Sequence, residues 1–275
     1  MKTYQDFCEH ISTKLFGLIE ENGSLLQWKR TWQVNGSQAL PFSKSGLYHG
    51  GNLLSLLLAQ VEKGYTKNKW VTFNQTQQLG GSVLKGAKSE IVYFWTPIKV
   101  SEMVDGEKTE KTVPLFKTYR VFNIEQTTLA DSTSIEGLQA KSIVDILAQH
   151  RVNISTFGNQ PRYQLQDDVI VMPHITNFNS ENDYNTTLLH ELVHSVGHPS
   201  RLDRFSGKVM DDKARAEEEL VAEIGSVFLA TYFGIDGDLL NHASYVAGWK
   251  TLLEPKDVMR AVNNAVKAFE YIISS

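Results

Sequence analysis

Residues 190–194 read His-Glu-Leu-Val-His, and no other stretch restricts the chain so tightly. Wound as a helix, residues four apart share a face, so His190 and His194 project toward one point. Neutral imidazoles at that spacing can hold one Zn2+. Glu191 lies beside them and can hydrogen-bond a water on the ion. Zinc lowers the pKa of such a water toward about 7, and a carboxylate can then take its proton. The spacing and its metalloprotease chemistry form a recognised motif. A chain carrying it needs a helix here, and Asp183 and Gly197 are placed to cap and end one.

Two histidines do not complete a site. Catalytic zinc needs a third protein ligand and an open fourth position. The sequence Glu219-Leu220-Val221-Ala222-Glu223 lies in a second helical pattern over 212–232, closed by Gly234. Glu219 and Glu223 share a face with Ala216, Leu220 and Phe228, and carboxylates on an apolar stripe are costly unless paired or metal-bound. Glu219 is assigned as the third ligand. Glu223 is assigned to accept a hydrogen bond from a ligand histidine, fixing its tautomer. The exchange of these two roles stays open. Glu217 and Glu218 are placed on the solvated face. His198 reads as a surface residue at the helix end, and His242 and Tyr245, near Trp249, as packed or exposed. A strand over 168–172 is expected to be an edge along which an extended peptide can lie.

The length, 275 residues, suits one large or two modest domains. A polar stretch over 126–137 is the expected linker, giving units 1–130 and 138–275. In the first, apolar spacing predicts helices over 4–21 and 53–63. A strand follows at 70–73, then a short helix capped by Asn74 and running to Leu79. Strands are expected at 90–95, 98–104 and 115–124. Asp105-Gly106 reads as a hairpin turn and 107–111 as an exposed loop tip. The second unit adds helices over 142–149 and 255–273. The expected class is α+β: a small antiparallel sheet with helices, then a mostly helical unit.

Charge separates the same two parts. Residues 1–128 carry 15 Lys and Arg against 11 Asp and Glu, whereas 129–275 carry 12 against 20. Four of the five tryptophans, Trp28, Trp32, Trp70 and Trp95, fall in the basic part. Trp28-Lys29-Arg30-Thr31-Trp32 and Tyr65-Thr66-Lys67-Asn68-Lys69-Trp70 interleave aromatics with cations. Aromatic faces stack on unpaired bases while cations track phosphates, a pattern suited to single strands. Lys85, Lys88, Lys117 and Arg120 can extend such a groove. The alternative, tryptophans in the core and lysines on a solvated rim, stays open. The lone cysteine, Cys8, excludes an internal disulfide and reads as a small core residue. The most apolar run, 53–59, is too short to span a bilayer, and the N-terminus reads as an amphipathic segment rather than a signal-peptide core. A cytoplasmic protein without membrane contact is expected.

Several segments together are similar to the ArdC-type antirestriction proteins. They are Thr187–His198, Ser200-Arg201-Leu202-Asp203-Arg204 and Glu218–Gly225, with Tyr48-His49-Gly50-Gly51-Asn52, Trp70–Gln75 and Val121-Phe122-Asn123 in the first half. The resemblance covers nearly the whole chain. It implies an N-terminal single-stranded-DNA-binding domain, also found at the start of some plasmid primases, and a C-terminal zincin-like metallopeptidase domain. It further implies residence on a mobile genetic element such as a plasmid, and protection of incoming DNA from host restriction. Two other readings remain at this point: a zinc endopeptidase of proteins or peptides without DNA function, and a DNA-binding protein whose metal is not catalytic.

Overall fold

A computed structural model of the chain describes residues 3–22, 39–104, 107–130, 142–150, 153–206, 210–235 and 243–274. Its fold is α+β. The first half opens with α1 (Tyr4–Asn22), which buries Phe7, Ile11, Leu15 and Ile19 at helical spacing. Cys8 lies buried beside them. A two-residue ribbon, β1 (Phe42–Ser43) and β2 (Gly46–Leu47), precedes α2 (Gly51–Lys63). This second helix is buried all round from Gly51 to Gln60, as expected of a helix with partners on every side. It ends at Gly64, whose φ of 66° and ψ of 27° put it in the left-handed region.

The first sheet has the order β3 (Trp70–Thr72), β5 (Glu107–Asn123), β4 (Glu90–Val104) and is antiparallel throughout. The sequence led us to expect a break at Pro97 and a loop tip over 107–111. Instead β4 runs unbroken for 15 residues and pairs with β5 from Glu90↔Val121 to Val104↔Glu107. Pro97 faces Pro114 in this register. There the ribbon is two-stranded and its outer edges are open, so no third strand requires the missing N–H groups. The register leaves room for a two-residue turn, and Asp105-Gly106 itself lies outside the described residues. Between the strands, α3 (Phe73–Gln78) is capped by Thr72 rather than Asn74. The Thr72 hydroxyl accepts from Gln75 N at 3.2 Å and Gln75 Oε1 from Thr72 N at 2.8 Å, a reciprocal capping box.

The second half holds α4 (Ile143–His150), three short strands, and α5 (Glu181–Ser195), α6 (Asp212–Phe233), α7 (Ala243–Leu252) and α8 (Pro255–Ser274). Its sheet has the order β6 (Asn153–Thr156), β8 (Val169–Met172), β7 (Arg162–Gln164). The strand read as an edge, β8, is therefore central: β6 pairs with it in parallel and β7 antiparallel. Its burial, complete at Ile170 and Met172, reflects neighbours on both sides.

Helix α6 packs between α5 and α8, and α8 also meets α1 and α2. One apolar core thus runs from Phe7 and Leu57 through Phe269 and Phe228 to Leu192. Two glycines permit close approaches between helices. A Cβ on Gly51 would lie 2.9 Å from both Met259 Sδ and Phe7 Cε1, and one on Gly225 would lie 2.9 Å from both Val193 γ-carbons. The first lets α2 start against α8, and the second lets α6 lie close on the histidine-bearing helix. Among the described residues no helix is long and apolar enough to cross a membrane.

Candidate functional site

Helix α5 starts at Ser180, whose hydroxyl accepts from Asp183 N at 3.1 Å; the cap is thus Ser180, not Asp183. Leu188, Leu189, Leu192 and Val193 face the core. That fixes the helix's rotation and sends His190 and His194 out together on the adjoining face. Their Nε2 atoms are 3.1 Å apart. From α6, Glu219 brings Oε2 to 3.4 Å from His190 Nε2 and Oε1 to 3.7 Å from His194 Nε2. One ligand-capable atom from each of the three lies within 4.8 Å of the others. Two ligands bound tetrahedrally to one ion at roughly 2.0–2.1 Å stand about 3.4 Å apart. The spacing of the imidazoles and the carboxylate therefore fits a single divalent ion. Glu191 is buried beside them, and its Oε2 has no hydrogen-bond partner among the described residues.

A second set of contacts orients His194. Its Nδ1 lies 3.2 Å from Glu218 Oε1. Glu218 in turn accepts from Arg204 Nη2 at 2.7 Å and Nε at 3.1 Å. Arg204 is buried, and its Nη2 also donates to Val193 O at 2.7 Å. This corrects the placement of Glu218 on a solvated face: it makes the contact with a ligand-type histidine that the sequence reading gave to Glu223. Glu217 is not solvated either; it is buried and paired with Arg260. Glu223 is buried one helical turn beyond Glu219. Burial alone would depress the His194 imidazolium, but Glu218 and Glu219 outweigh it and raise its pKa to about 10. Burial would raise Glu219, yet His190 and His194 hold it far below the carboxylate range. His194 and Arg204 likewise keep Glu218 low against its burial. A cluster so dominated by opposite charges suits a cation that replaces the shared protons.

The loop after α5 is pinned to the sheet. Arg201 donates from Nε to Ser195 O at 2.9 Å and from Nη1 to Asp168 Oδ2 at 3.1 Å, while the Tyr163 hydroxyl donates to Asp168 Oδ1 at 2.7 Å. These bonds set β7 beside the histidines. The cluster opens into a cavity of about 850 Å3 whose walls include Tyr163, Phe205, Met210, Trp249 and Leu252. His198 instead hydrogen-bonds Ser200 at 2.7 Å. Tyr245 lies in α7, and His242 lies outside the described residues.

The nucleic-acid expectations fare differently. Trp28, Lys29, Arg30 and Trp32 lie outside the described residues. Lys67 and Lys69 are half-buried, and Lys67 Nζ donates to Ala130 O. Trp70 is fully buried, its ring packed edge-on at 6.0 Å from Tyr65. This corrects its assignment to base stacking, because an inward-facing side chain of β3 presents no free ring face. Phe73, Phe94, Trp95 and Tyr119 are the exposed aromatics of this half that line a second cavity, of about 980 Å3. Sequence reasoning counted Trp95 in the basic part but assigned none of the four to the DNA. Their signal was the aromatic run Tyr93-Phe94-Trp95 opposite Phe116-Lys117-Thr118, visible only once the register is known.

Comparison with known proteins agrees with this architecture. Residues 141–267 match the family described as zincin-like metallopeptidase, and residues 2–122 match the N-terminal domain of anti-restriction factor ArdC. The class is therefore a zincin-like domain behind an ArdC-type N-terminal domain. The metal-free antirestriction ArdC protein from plasmid R388 superposes with a TM-score of 0.80 at 33% identity, over 99% of this chain and 97% of that one. Its Mn(II)-bound form gives 0.75 at 31%, over 96% of both chains. The chain belongs to the ArdC antirestriction family. Two DNA primases TraC of Escherichia coli are 29% and 31% identical over 100% and 98% of this chain. The chain spans only 20% and 27% of their lengths. An uncharacterized protein of Sinorhizobium fredii is 27% identical over 98% of this chain and 91% of its own.

Proposed function

We propose that this protein serves a mobile genetic element by binding single-stranded DNA through residues 1–130, with a zinc site of peptidase type in residues 138–275. It acts in the cytoplasm as an antirestriction protein. The observation that carries the metal part is the convergence of His190, His194 and Glu219 on one point at the floor of an open cavity. Three protein donors facing open space resemble a catalytic arrangement, whereas a structural zinc is closed by four. When bound, the ion supplies Lewis acidity toward a water and a carbonyl oxygen. Glu191 is the base: its buried Oε2 is available to receive a proton and pass it to a leaving amine. Glu218, held by Arg204, keeps His194 oriented. Phe205, Met210, Trp249 and Leu252 give the cavity apolar walls suited to a large apolar side chain of a polypeptide. The DNA part rests on the ArdC-type N-terminal domain, the basic charge of that half and its exposed aromatics.

Metal stoichiometry with matched variants tests the site. Glu191→Gln is expected to retain one zinc per chain and lose cleavage of a denatured protein. His190→Ala and Glu219→Ala are expected to lose the zinc. Full zinc in Glu219→Ala together with loss in Glu223→Ala exchanges the roles of the two glutamates. Full zinc in His190→Ala removes the site altogether.

A further inference from the structure

The metal chemistry does not use the cavity in the first half. Its floor is the β3–β5–β4 sheet, where Val92 and Val121 are buried. One wall is the β1–β2 ribbon and the other the start of α3, with Phe73 and Asn74. In the hairpin register Phe94 faces Lys117 and Val92 faces Tyr119, so Phe94 and Tyr119 are diagonal neighbours on one face. Their rings meet edge to face, centroids 5.2 Å apart at 86°. Phe73 is 50% exposed, Phe94 44%, Trp95 53% and Tyr119 45%. Phe73, Phe94 and Tyr119, with Trp95 at the strand edge, where its ring meets Tyr4 and Phe116, are unlike the scattered apolar residues of an ordinary surface.

Three further observations select the occupant. No Asp or Glu is among the cavity's lining residues, although the whole chain has a net charge of −4. Arg120 lines it, Lys117 lies opposite Phe94 in the register, and Lys44 stands between the lining residues Ser43 and Ser45. The second observation is at the sheet edge. β4 is the outer strand, the place where an extended peptide would add. Asn52 closes it: Oδ1 accepts from Tyr93 N at 2.9 Å and Nδ2 donates to Tyr93 O at 2.6 Å. Main-chain pairing is thus blocked at the middle of the groove, while the rings of Phe94 and Tyr119 stay about half exposed. Third, exposed Asn74 offers a carboxamide suited to a base edge.

We infer that this groove is the seat of the single strand: unpaired bases stack on Phe94 and Tyr119, with Phe73 and Trp95 flanking, while Arg120, Lys117 and Lys44 follow the phosphates. The inference rests on the single-stranded-DNA reading proposed above and names the surface that performs it. Duplex DNA is excluded because its base faces are already stacked on one another. Recognition is tolerant of sequence, since every base has a face to stack.

The test is a titration of the full chain with a fluorescent oligothymidylate and with its duplex, at several salt concentrations. Phe94→Ala, Tyr119→Ala, the double variant and Arg120→Ala are compared with wild type. Stacking losses on this scale lower affinity about ten-fold per ring, so the double variant is expected to bind about a hundred-fold more weakly. Arg120→Ala is expected to flatten the slope of log affinity against log salt by about 0.7, the value for one phosphate contact on a single strand. An oligonucleotide carrying 5-iododeoxyuridine, photocrosslinked to the wild-type protein and mapped by mass spectrometry, reads the surface without substitutions. Crosslinks at Phe73, Phe94, Trp95 or Tyr119 support the assignment. If wild type binds single strands, the double variant binds equally well and crosslinks map elsewhere, the groove assignment is overturned and the DNA reading survives. If wild type does not bind single strands, both fall.

Discussion

The residues at the histidine cluster differ in how far the sequence exposes them. His190, Glu191 and His194 are legible because a five-residue pattern on one helix fixes their mutual placement whatever surrounds it. Glu219 was reached by asking which carboxylate on an apolar stripe needs a cation. Glu218 was not, because Glu217, Glu218, Glu219 and Glu223 point in several directions around α6. Only the rotation of α6 against α5 decides which of them turn inward. A hint lay in Arg204: an arginine buried to 6% exposure needs a carboxylate partner, and here that is Glu218. Glu218→Gln keeps the shape but removes the charge that links Arg204 to His194. Partners of metal-binding histidines are commonly worth ten- to a hundred-fold in affinity. Zinc competition titrations are expected to show a loss of about that size in Glu218→Gln. An unchanged affinity would mean that Glu218 only packs the helices.

At the scale of elements, helices were the more readable. Apolar periodicity and caps located α1, α2, α5, α6 and α8 to within a few residues. The strands β1, β2, β6 and β7 are two to four residues long, too short to show any period. The central position of β8 depends on β6 and β7, which no local pattern announced. The apolar pattern suggested strand ends at 95 and 115, yet a ribbon with open edges tolerates Pro97 and Pro114 within continuous pairing. The start of α8 illustrates a cap that also joins helices. Pro255 is its first residue, and Asp257 reaches back to accept from Glu254 N at 3.1 Å. Asp257 further accepts from Lys213 at 2.6 Å, from α6, and from Arg260 at 2.8 Å. Burial would raise its pKa, but these three donors outweigh it and leave it lowered. A carboxyl with a depressed folded pKa adds stability above its unfolded pKa of about 3.9, and loses it as pH falls through the folded value. Asp257→Asn is therefore expected to unfold about 1–3 kcal/mol more easily at pH 7. The gap should narrow as pH drops below about 4. Urea unfolding at both pH values checks this, and a gap independent of pH contradicts the charge-based account.

Across the whole molecule, the sequence separated a basic, aromatic half from an acidic one but did not reveal how closely they meet. Gly51 is explained only by that meeting: α2 begins where Met259 and Phe7 leave no room for a side chain. His49 Nδ1 and Glu270 Oε1 add a 2.5 Å hydrogen-bond contact between the halves. Because α8 touches α6 on one side and α1 and α2 on the other, the groove and the histidine cluster are built on one continuous core. The charge asymmetry nonetheless survives locally. No carboxylate lines the groove, whereas the histidine-lined cavity has four, Glu191, Asp212, Glu218 and Glu219, against the two arginines Arg162 and Arg215. Each cavity thus has the electrostatic character its proposed ligand requires, an anionic strand in one and a cation in the other.

The central claim is that one chain carries a single-strand-binding surface and a metal site whose chemistry depends on Glu191, and that the two functions are separable. The most direct measurement titrates wild type and Glu191→Gln against labelled single- and double-stranded oligonucleotides, following cleavage of a denatured protein in the same tubes. The account predicts single-strand-selective, salt-dependent binding of equal strength in both proteins, with cleavage in wild type alone. Binding that shows no preference for single strands, beside cleavage abolished by Glu191→Gln, would contradict it and leave a zinc peptidase without a DNA function.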